Sequence, residues 1–398
     1  MSEYQYYEFV ALDEPLTPQQ QAELRARSTR ATITATSFIN EYHWGDLKGD
    51  PMDWMRRYFD AHVYSANWCS CRLLLRLPRA AFDQATLDDF TQRSPMGSES
   101  RFIDAFEVTA TPEHWILDWS FNDDAGEYDR FWTQADGPGW LSRLLPLRDE
   151  LLRGDHRPLY LGWLARVCRG ELDDADLEPP LPAGLKTLTP AQTALTEFLL
   201  IDPDWLAAAA EASEDLAVPA GTDSALDDWL ALQTAADLRA TLRLLLEGRG
   251  QEAERGLRKR FVAWQRLQQR TEQAQPARHA LARIAERREA CAAMRQAREQ
   301  AAQSVRETWH RAERSAHLTQ LAARADAVWA SIDQTLQRGS GAGYDQALKA
   351  VQELAEALAL TGRENEFNQG LARLMSTHGR RPSWVSRLTK AGLSWGAR

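Results

Sequence analysis

The residues with the clearest potential for metal or redox chemistry are Cys69 and Cys71, in the stretch NWCSCRLLLRLP. A structural zinc site needs about four ligands, usually as two spaced pairs. The other two cysteines, Cys168 and Cys291, stand alone in segments of helical composition. Alternate residues of a strand share a face, and both Cys69 and Cys71 fall on the apolar face that includes Leu73. We therefore expect both to be buried strand side chains, and we predict no metal site.

Neither the histidines nor the carboxylates show a spacing typical of a catalytic or metal site. His310 and His317 are seven residues apart, and we expect them on the exposed face of a helix. The carboxylates Asp46, Asp50 and Asp53 lack the spacing and the terminal Glu of an EF-hand and are typical of a turn.

No nucleotide-binding or hydrolase motif occurs in the sequence. It contains no P-loop, no Gly-x-Gly-x-x-Gly and no Gly-x-Ser-x-Gly. The nearest Gly-rich run, RGSGAGYD at 338–345, is predicted to be a flexible linker. We therefore predict no cofactor and favour a protein that is not an enzyme. An active site whose members meet only in space is kept as a third hypothesis.

Positive charge is concentrated in one part of an acidic chain. From Arg249 to Asp326 the sequence has 17 Arg and Lys against nine Asp and Glu, a local net charge of +8, whereas the whole chain carries −10. A surface that binds phosphates needs several cations together. The candidate polyanion-binding residues are Arg258, Lys259, Arg260, Arg266, Arg270, Arg287 and Arg288.

Acidic residues are interspersed in this basic region, which leaves three interpretations open. Pairs such as Glu254 and Arg258 have the i,i+4 spacing that stabilises a helix. The region is then a solvated, salt-bridged helix, a nucleic-acid-binding surface, or a helix that docks onto an acidic protein surface, its own body included.

The segments before the basic region alternate between strand and helix patterns. Stretches rich in aromatic and β-branched residues predict strands at 3–12, 31–44, 61–78 and 102–121. The last of these ranges is predicted to be a hairpin around Thr111-Pro112. Thr17 as N-cap with Pro18 in the first turn predicts a helix start. We therefore predict an α+β N-terminal domain at 1–172, with a mixed sheet, short helices and a hairpin.

From about residue 139 the pattern is helical, so we predict an all-α C-terminal half. The acidic, Pro-rich segment 173–185 is predicted to be a linker before a helical domain at 186–275. Neither Gly nor Pro occurs between Pro276 and Gly339, which predicts a long basic helix or a helical hairpin at 277–337. A further helical hairpin is predicted at 343–398. The long helix has a thin apolar seam, imperfect as heptads, formed by Ile284, Cys291, Met294, Ala301, Val305 and Ala312.

Several stretches resemble a bacterial protein family with no known activity. They are YQYYEFVALD, GDLKGDP with RYFDAHVYSANW, LRGDHRPLYLGWL, and YDQALKAVQEL with RRPSWVSRLTKAGL, and together they span most of the chain. In that family the position of NWCSCR often reads Asn-Trp-Gly-Thr-Arg. The resemblance implies that Cys69 and Cys71 depart from the family pattern, which weakens a metal role further. It also implies an aromatic-rich N-terminal domain, a helical middle, a basic long helix and a helical tail, and it implies no catalytic residue.

Composition and location signals favour an interaction protein of the bacterial cytoplasm. No stretch approaches the about 18 apolar residues of a membrane helix, so we expect no membrane partner. The N-terminus lacks a signal-peptide pattern, and four scattered cysteines are typical of a reduced compartment. Our first hypothesis is a scaffold that binds a protein partner, or a second copy of itself, through the 277–337 helix and the helical tail. The alternative is a nucleic-acid-associated accessory protein that binds phosphates through 255–298.

Overall fold

The computed structural model describes residues 3–92, 104–123, 138–216, 222–250 and 280–395, with isolated positions between 126 and 131 and between 253 and 264. The chain divides into two compact units, Met1–Ala293 and Met294–Arg398. The predicted fold class is confirmed, because a sheet with short helices precedes a mostly helical remainder that includes a long helix.

Seven strands form the sheet of the first unit, in the order β2-β3-β1-β4-β5-β7-β6. Every pairing among the described strands is antiparallel, so the expectation of a mixed sheet is corrected. Tight turns join β4 to β5 and β6 to β7, and strands joined in this way run antiparallel. The predicted hairpin around Thr111 is confirmed. The strands are β1 (Gln5–Val10), β2 (Thr32–Ile33), β3 (Ser37–Tyr42), β4 (Ala61–Ala66), β5 (Ser70–Pro78), β6 (Phe106–Ala110) and β7 (His114–Phe121).

Helices cover both faces of this sheet. One face packs on α1 (Pro18–Arg27) and α2 (Pro51–Arg57) around Phe9, Phe38 and Trp54. The predicted start of α1 is confirmed, because Thr17 and Gln20 form a capping box. The other face packs on α3 (Gln84–Thr91), α4 (Trp140–Leu144), α5 (Pro146–Leu152), α6 (Arg157–Cys168), α7 (Pro190–Phe198) and α8 (Pro203–Ala212).

Cys69 and Cys71 lie in different secondary-structure elements. Cys71 lies on β5 and is buried with Leu73, as expected. Cys69 is also buried, but it lies in the turn before β5 with a φ of 58°, so its placement on the strand is corrected. Glycine adopts this left-handed conformation without strain and is typical of three-residue hairpin turns.

In the segment 277–337, predicted to be a long helix or a helical hairpin, a second helix begins at Ala325, so the long helix is α11 (Leu281–Ala323), of 43 residues. At 1.5 Å per residue it is about 65 Å long. It follows α9 (Thr222–Ala231) and α10 (Ala235–Leu246). No Gly or Pro ends it. Instead, the Arg363 guanidinium donates a hydrogen bond to the Ala322 carbonyl (2.7 Å), which satisfies one of the free carbonyls of the helix end.

Four shorter helices pack with the end of α11 to form the core of the second unit. Its largest fully buried side chain is Trp384. The run RGSGAGYD is mostly helical rather than a flexible linker: Gly339 closes one helix with a φ of 67°, and Ser340 caps the next by accepting from the Gly343 N–H (3.1 Å). The helices are α12 (Ala325–Gln337), α13 (Gly341–Leu360), α14 (Glu364–His378) and α15 (Pro382–Lys390).

Candidate interaction surface

The start of α11 is fixed to the rest of the first unit by backbone hydrogen bonds. The Leu281 N–H donates to the Asp176 carbonyl (2.9 Å) and the Ala282 N–H to the Asp174 carbonyl (3.1 Å). These carbonyls satisfy amides that a helix N-terminus leaves free. The acidic segment 173–185, predicted to be a linker, therefore also holds the beginning of the long helix.

A buried tyrosine holds the same segment in place. The Tyr160 hydroxyl donates to the Glu178 carboxylate (2.7 Å), and both side chains are buried. Burial and the neighbouring Glu178 raise the pKa of Tyr160, so the hydroxyl stays protonated and keeps donating at neutral pH.

Side chains of the first turns of α11 pack into the first unit. Leu281, Ile284 and Cys291 are buried in its core. Arg288 forms an ion pair with Asp202 (2.9 Å), and its guanidinium lies 5.6 Å from the centroid of the Trp205 ring. The hydrogen bond to Asp202 raises the pKa of Arg288. This part of the basic helix thus lies against acidic and aromatic groups of its own unit.

The candidate polyanion-binding residues do not form one continuous described surface. Arg260 pairs with Asp237 (3.4 Å) and donates to the Thr241 hydroxyl (3.1 Å). Arg287 is half-buried on α11, and Arg288 is already paired with Asp202. Four of the seven lie outside the described residues: Arg258, Lys259, Arg266 and Arg270.

The middle of α11 is exposed on all its sides. Each of the 22 residues at 296–317, here called the exposed stretch, is exposed. Local contacts support it: Arg295 pairs with Glu299 (3.0 Å), and the Gln303 amide donates to Glu307 (2.9 Å). Such pairs contribute about 0.2–0.5 kcal/mol each, whereas most helices in proteins are stabilised by packing of an apolar face.

One face of this stretch carries apolar and small residues at a regular spacing. Val305 is 65% exposed and Trp309 is 60% exposed, and Met294 just before the stretch is half-exposed. Positions 294, 305 and 316 are 11 residues apart, as are 298 and 309, and 301 and 312. An 11-residue step turns the face by only about 20° around the helix. All seven positions therefore lie within about 40° of Val305. We call this face the α11 stripe: Met294, Arg298, Ala301, Val305, Trp309, Ala312 and Ala316.

The seam predicted from the sequence covers part of the α11 stripe but omits its one tryptophan. A heptad pattern includes Met294, Ala301 and Val305 but places Trp309 off the seam. The 11-residue period was the signal that would have included it.

Among the described residues, a groove lies in each of the two units. One, of about 310 Å³, is lined by Leu321, Val328 and neighbours from α12 and α13. The other, of about 660 Å³, lies beside α1 and α2. Its Glu23 accepts from the Tyr58 hydroxyl (2.5 Å) and pairs with Arg57 (3.0 Å). The hydrogen bond from Tyr58 lowers the pKa of Glu23, so this carboxylate is held ionised and paired.

The part of the chain that the structure describes contains neither a cluster of metal-ligating side chains nor a helix able to span a membrane. No three His, Cys, Asp or Glu side chains come together there as a set of metal ligands. No described helix has the combination of length and apolar character that a membrane span requires.

Comparison of the chain with protein-family models, with curated proteins and with solved structures gives no match. No function is therefore transferred from a relative, and the contacts and exposure of α11 carry the proposal that follows.

Proposed function

We propose that this chain is a non-enzymatic interaction protein of the scaffold type, which binds a protein partner through the exposed stretch of α11. The observation that supports this is the exposure of Val305 and Trp309, four residues apart on one helix face. Burying apolar surface contributes about 25 cal/mol per Å², so a partner that covers this face gains most from these two side chains.

The helix is also held at both ends, which favours binding. Its first turns contribute Leu281 and Ile284 to the core of the first unit, and its last turns contribute Leu318 and Ala322 to the core of the second. A segment that is already helical loses less conformational entropy on binding than a flexible one. A place in a complex of the bacterial cytoplasm is part of the proposal, supported by the family resemblance and by four unbridged cysteines.

Site-specific photo-cross-linking in the native host tests the proposal. A benzophenone amino acid replaces Trp309, and in a matched control it replaces Trp44, which is 76% exposed in the first unit. We expect a discrete cross-linked product from position 309 and none from position 44. The same product should be absent at position 303, on the opposite side of α11. Equal labelling from all three positions, or none from any, would contradict the proposal.

The nucleic-acid alternative has one supporting observation, the exposure of Arg298, Arg306 and Arg311. Glu299 and Glu307 alternate with them and reduce the net positive charge. If the chain binds phosphates, its affinity for a short DNA or RNA should fall steeply between about 50 and 200 mM salt. Fluorescence anisotropy that shows no binding even at the lower salt concentration would eliminate this alternative.

A further inference from the structure

We propose that the partner of the α11 stripe is a second copy of this chain, bound antiparallel about a two-fold axis at Val305. This inference rests on the proposed function, because it names the occupant of the same surface. Three features of the stripe support it: the sizes of its side chains, the charges beside it, and the position of its one arginine.

The side chains of the α11 stripe match those of a reversed copy in size. In an antiparallel pair centred on Val305, Trp309 lies opposite Ala301 of the second copy, and Met294 lies opposite Ala316 of the second copy. The same order holds on the other side of the axis. Bulky side chains that face alanines let two helices approach closely and interdigitate.

Charges beside the stripe are complementary in the same arrangement. Arg295 and Glu313 lie on one flank, each about 80° from Val305 around the helix. A two-fold axis perpendicular to both helices brings the same flank of each copy together. Arg295 then comes within about 3 Å, measured along the helix axis, of Glu313 of the second copy. Symmetry gives two such ion pairs, and each extends the existing pair between Arg295 and Glu299 (3.0 Å).

A parallel pair is disfavoured by the same residues. It would place every stripe residue against its own copy, so Arg298 would face Arg298 within the contact. Like charges brought together while losing water are costly. In the antiparallel pair, Arg298 lies opposite Ala312 of the second copy, and its guanidinium can extend past the alanine into solvent.

The antiparallel pair contains one unfavourable contact, and this gives a distinctive test. Arg306 lies beside the axis, close to Arg306 of the second copy. Replacing Arg306 with Gln removes this repulsion, so we expect R306Q to tighten the dimer about three-fold at low salt. R311Q, which removes a charge from the other flank, is the matched control and should change the dimer affinity less.

The contact is modest in size. From Met294 to Ala316 the stripe is about 33 Å long, and an interface of that length lies near the lower limit of about 1,000 Å² for specific complexes. We therefore expect a reversible dimer whose population rises with protein concentration. Sedimentation equilibrium of the full chain, which has a mass of 45.0 kDa, measures this directly.

Engineered cysteines test the axis. In the antiparallel pair Val305 meets its own copy, so V305C should form an intermolecular disulfide when treated with oxidised glutathione. A301C alone should not, but a mixture of A301C and W309C should. Q303C, on the opposite side of the helix, and the unmodified chain are the controls. Self-linked A301C and A312C would instead indicate a parallel pair and would overturn the proposed geometry.

A charge exchange tests the flank. We expect R295E and E313R each to weaken the dimer about ten-fold, and the double variant R295E/E313R to recover most of that loss. A general loss of helix would not be rescued by the second change. Circular dichroism of each variant separates the two causes.

The outcomes distinguish this inference from the proposed function. A chain that stays at 45.0 kDa at about 100 μM, well above typical micromolar dissociation constants, with no V305C disulfide, would overturn self-pairing. If cross-linking from position 309 in the host then still gives a product with another protein, the proposed function stands without it. If position 309 gives no product either, both are overturned.

Discussion

Burial raises the pKa of the Cys71 thiol to about 12, so at neutral pH it is protonated and a poor nucleophile or metal ligand. Its Sγ donates to the Phe198 carbonyl (3.1 Å), which ties β5 to the end of α7. Cys69 is equally buried, but its left-handed backbone places it in the turn. Of the two cysteines whose spacing suggested metal or redox chemistry, Cys71 therefore packs in the core on a strand, and Cys69 is buried in the turn before it.

Glycine substitutions should separate these two cysteine positions. C69G relieves a left-handed backbone that costs about 1–2 kcal/mol for a residue with a Cβ, and this offsets the buried side chain that is lost. C71G loses buried contacts and adds strand flexibility, at a cost of about 2 kcal/mol. Urea unfolding measures both free energies. Equal losses at the two positions would contradict the turn assigned to Cys69.

A buried histidine predicts a loss of stability in acid. The His62 ring stacks on Phe9, with ring centroids 3.8 Å apart, and its Nδ1 lies 2.9 Å from the Glu8 carbonyl oxygen. Burial lowers the pKa of His62 from 6.5 to about 3. Between these two pH values the unfolded chain binds a proton that the folded chain does not, so the free energy of unfolding falls as the pH is lowered.

The H62L variant tests this pH dependence apart from any change in overall stability. Each buried neutral histidine contributes a slope of up to about 1.4 kcal/mol per pH unit. We expect H62L to lose that part of the slope between pH 6.5 and about 3, and H310L, at an exposed position on α11, to keep it. An unchanged slope in H62L would show that His62 titrates normally in the folded chain.

Among the elements, those with local signals were predicted well and those fixed by distant residues were not. The capping box at Thr17 and the turn at Thr111 each depend on residues only three positions apart in the sequence. The end of α11 depends on Arg363, which is 41 positions from Ala322, and no local pattern reveals such a contact. The place of β1 between β3 and β4 and the pairing of β5 with β7 likewise depend on strands far apart in the chain.

Removing the Arg363 side chain should loosen the second unit. In R363L the Ala322 carbonyl loses its donor and Glu366 loses its ion pair, and a lost hydrogen bond costs about 1 kcal/mol. R387L, which removes an exposed pair with Asp345, is the control. Amide exchange at 318–336 should accelerate about five-fold in R363L and change little in R387L. Similar rates in both variants would show that Arg363 does not hold this helix end.

For the whole molecule, the uneven charge has two structural outcomes. Where α11 starts, Arg288 pairs with Asp202 of the same unit, which favours docking of the basic helix onto its own acidic body there. Farther along, at 296–317, the charged side chains are exposed, as in a solvated helix. The sequence alone did not separate these two outcomes, because both stretches are rich in Ala, Arg and Glu.

Face-specific protection of α11 in living host cells tests directly whether a partner covers the α11 stripe. V305C, on the stripe, and Q303C, on the opposite side, both replace exposed residues, so a thiol reagent should label them at similar rates in the dilute purified chain. In cells, we expect V305C to be labelled about ten-fold more slowly than Q303C. Equal rates in cells would show that nothing covers the α11 stripe and would contradict its role as an interaction surface.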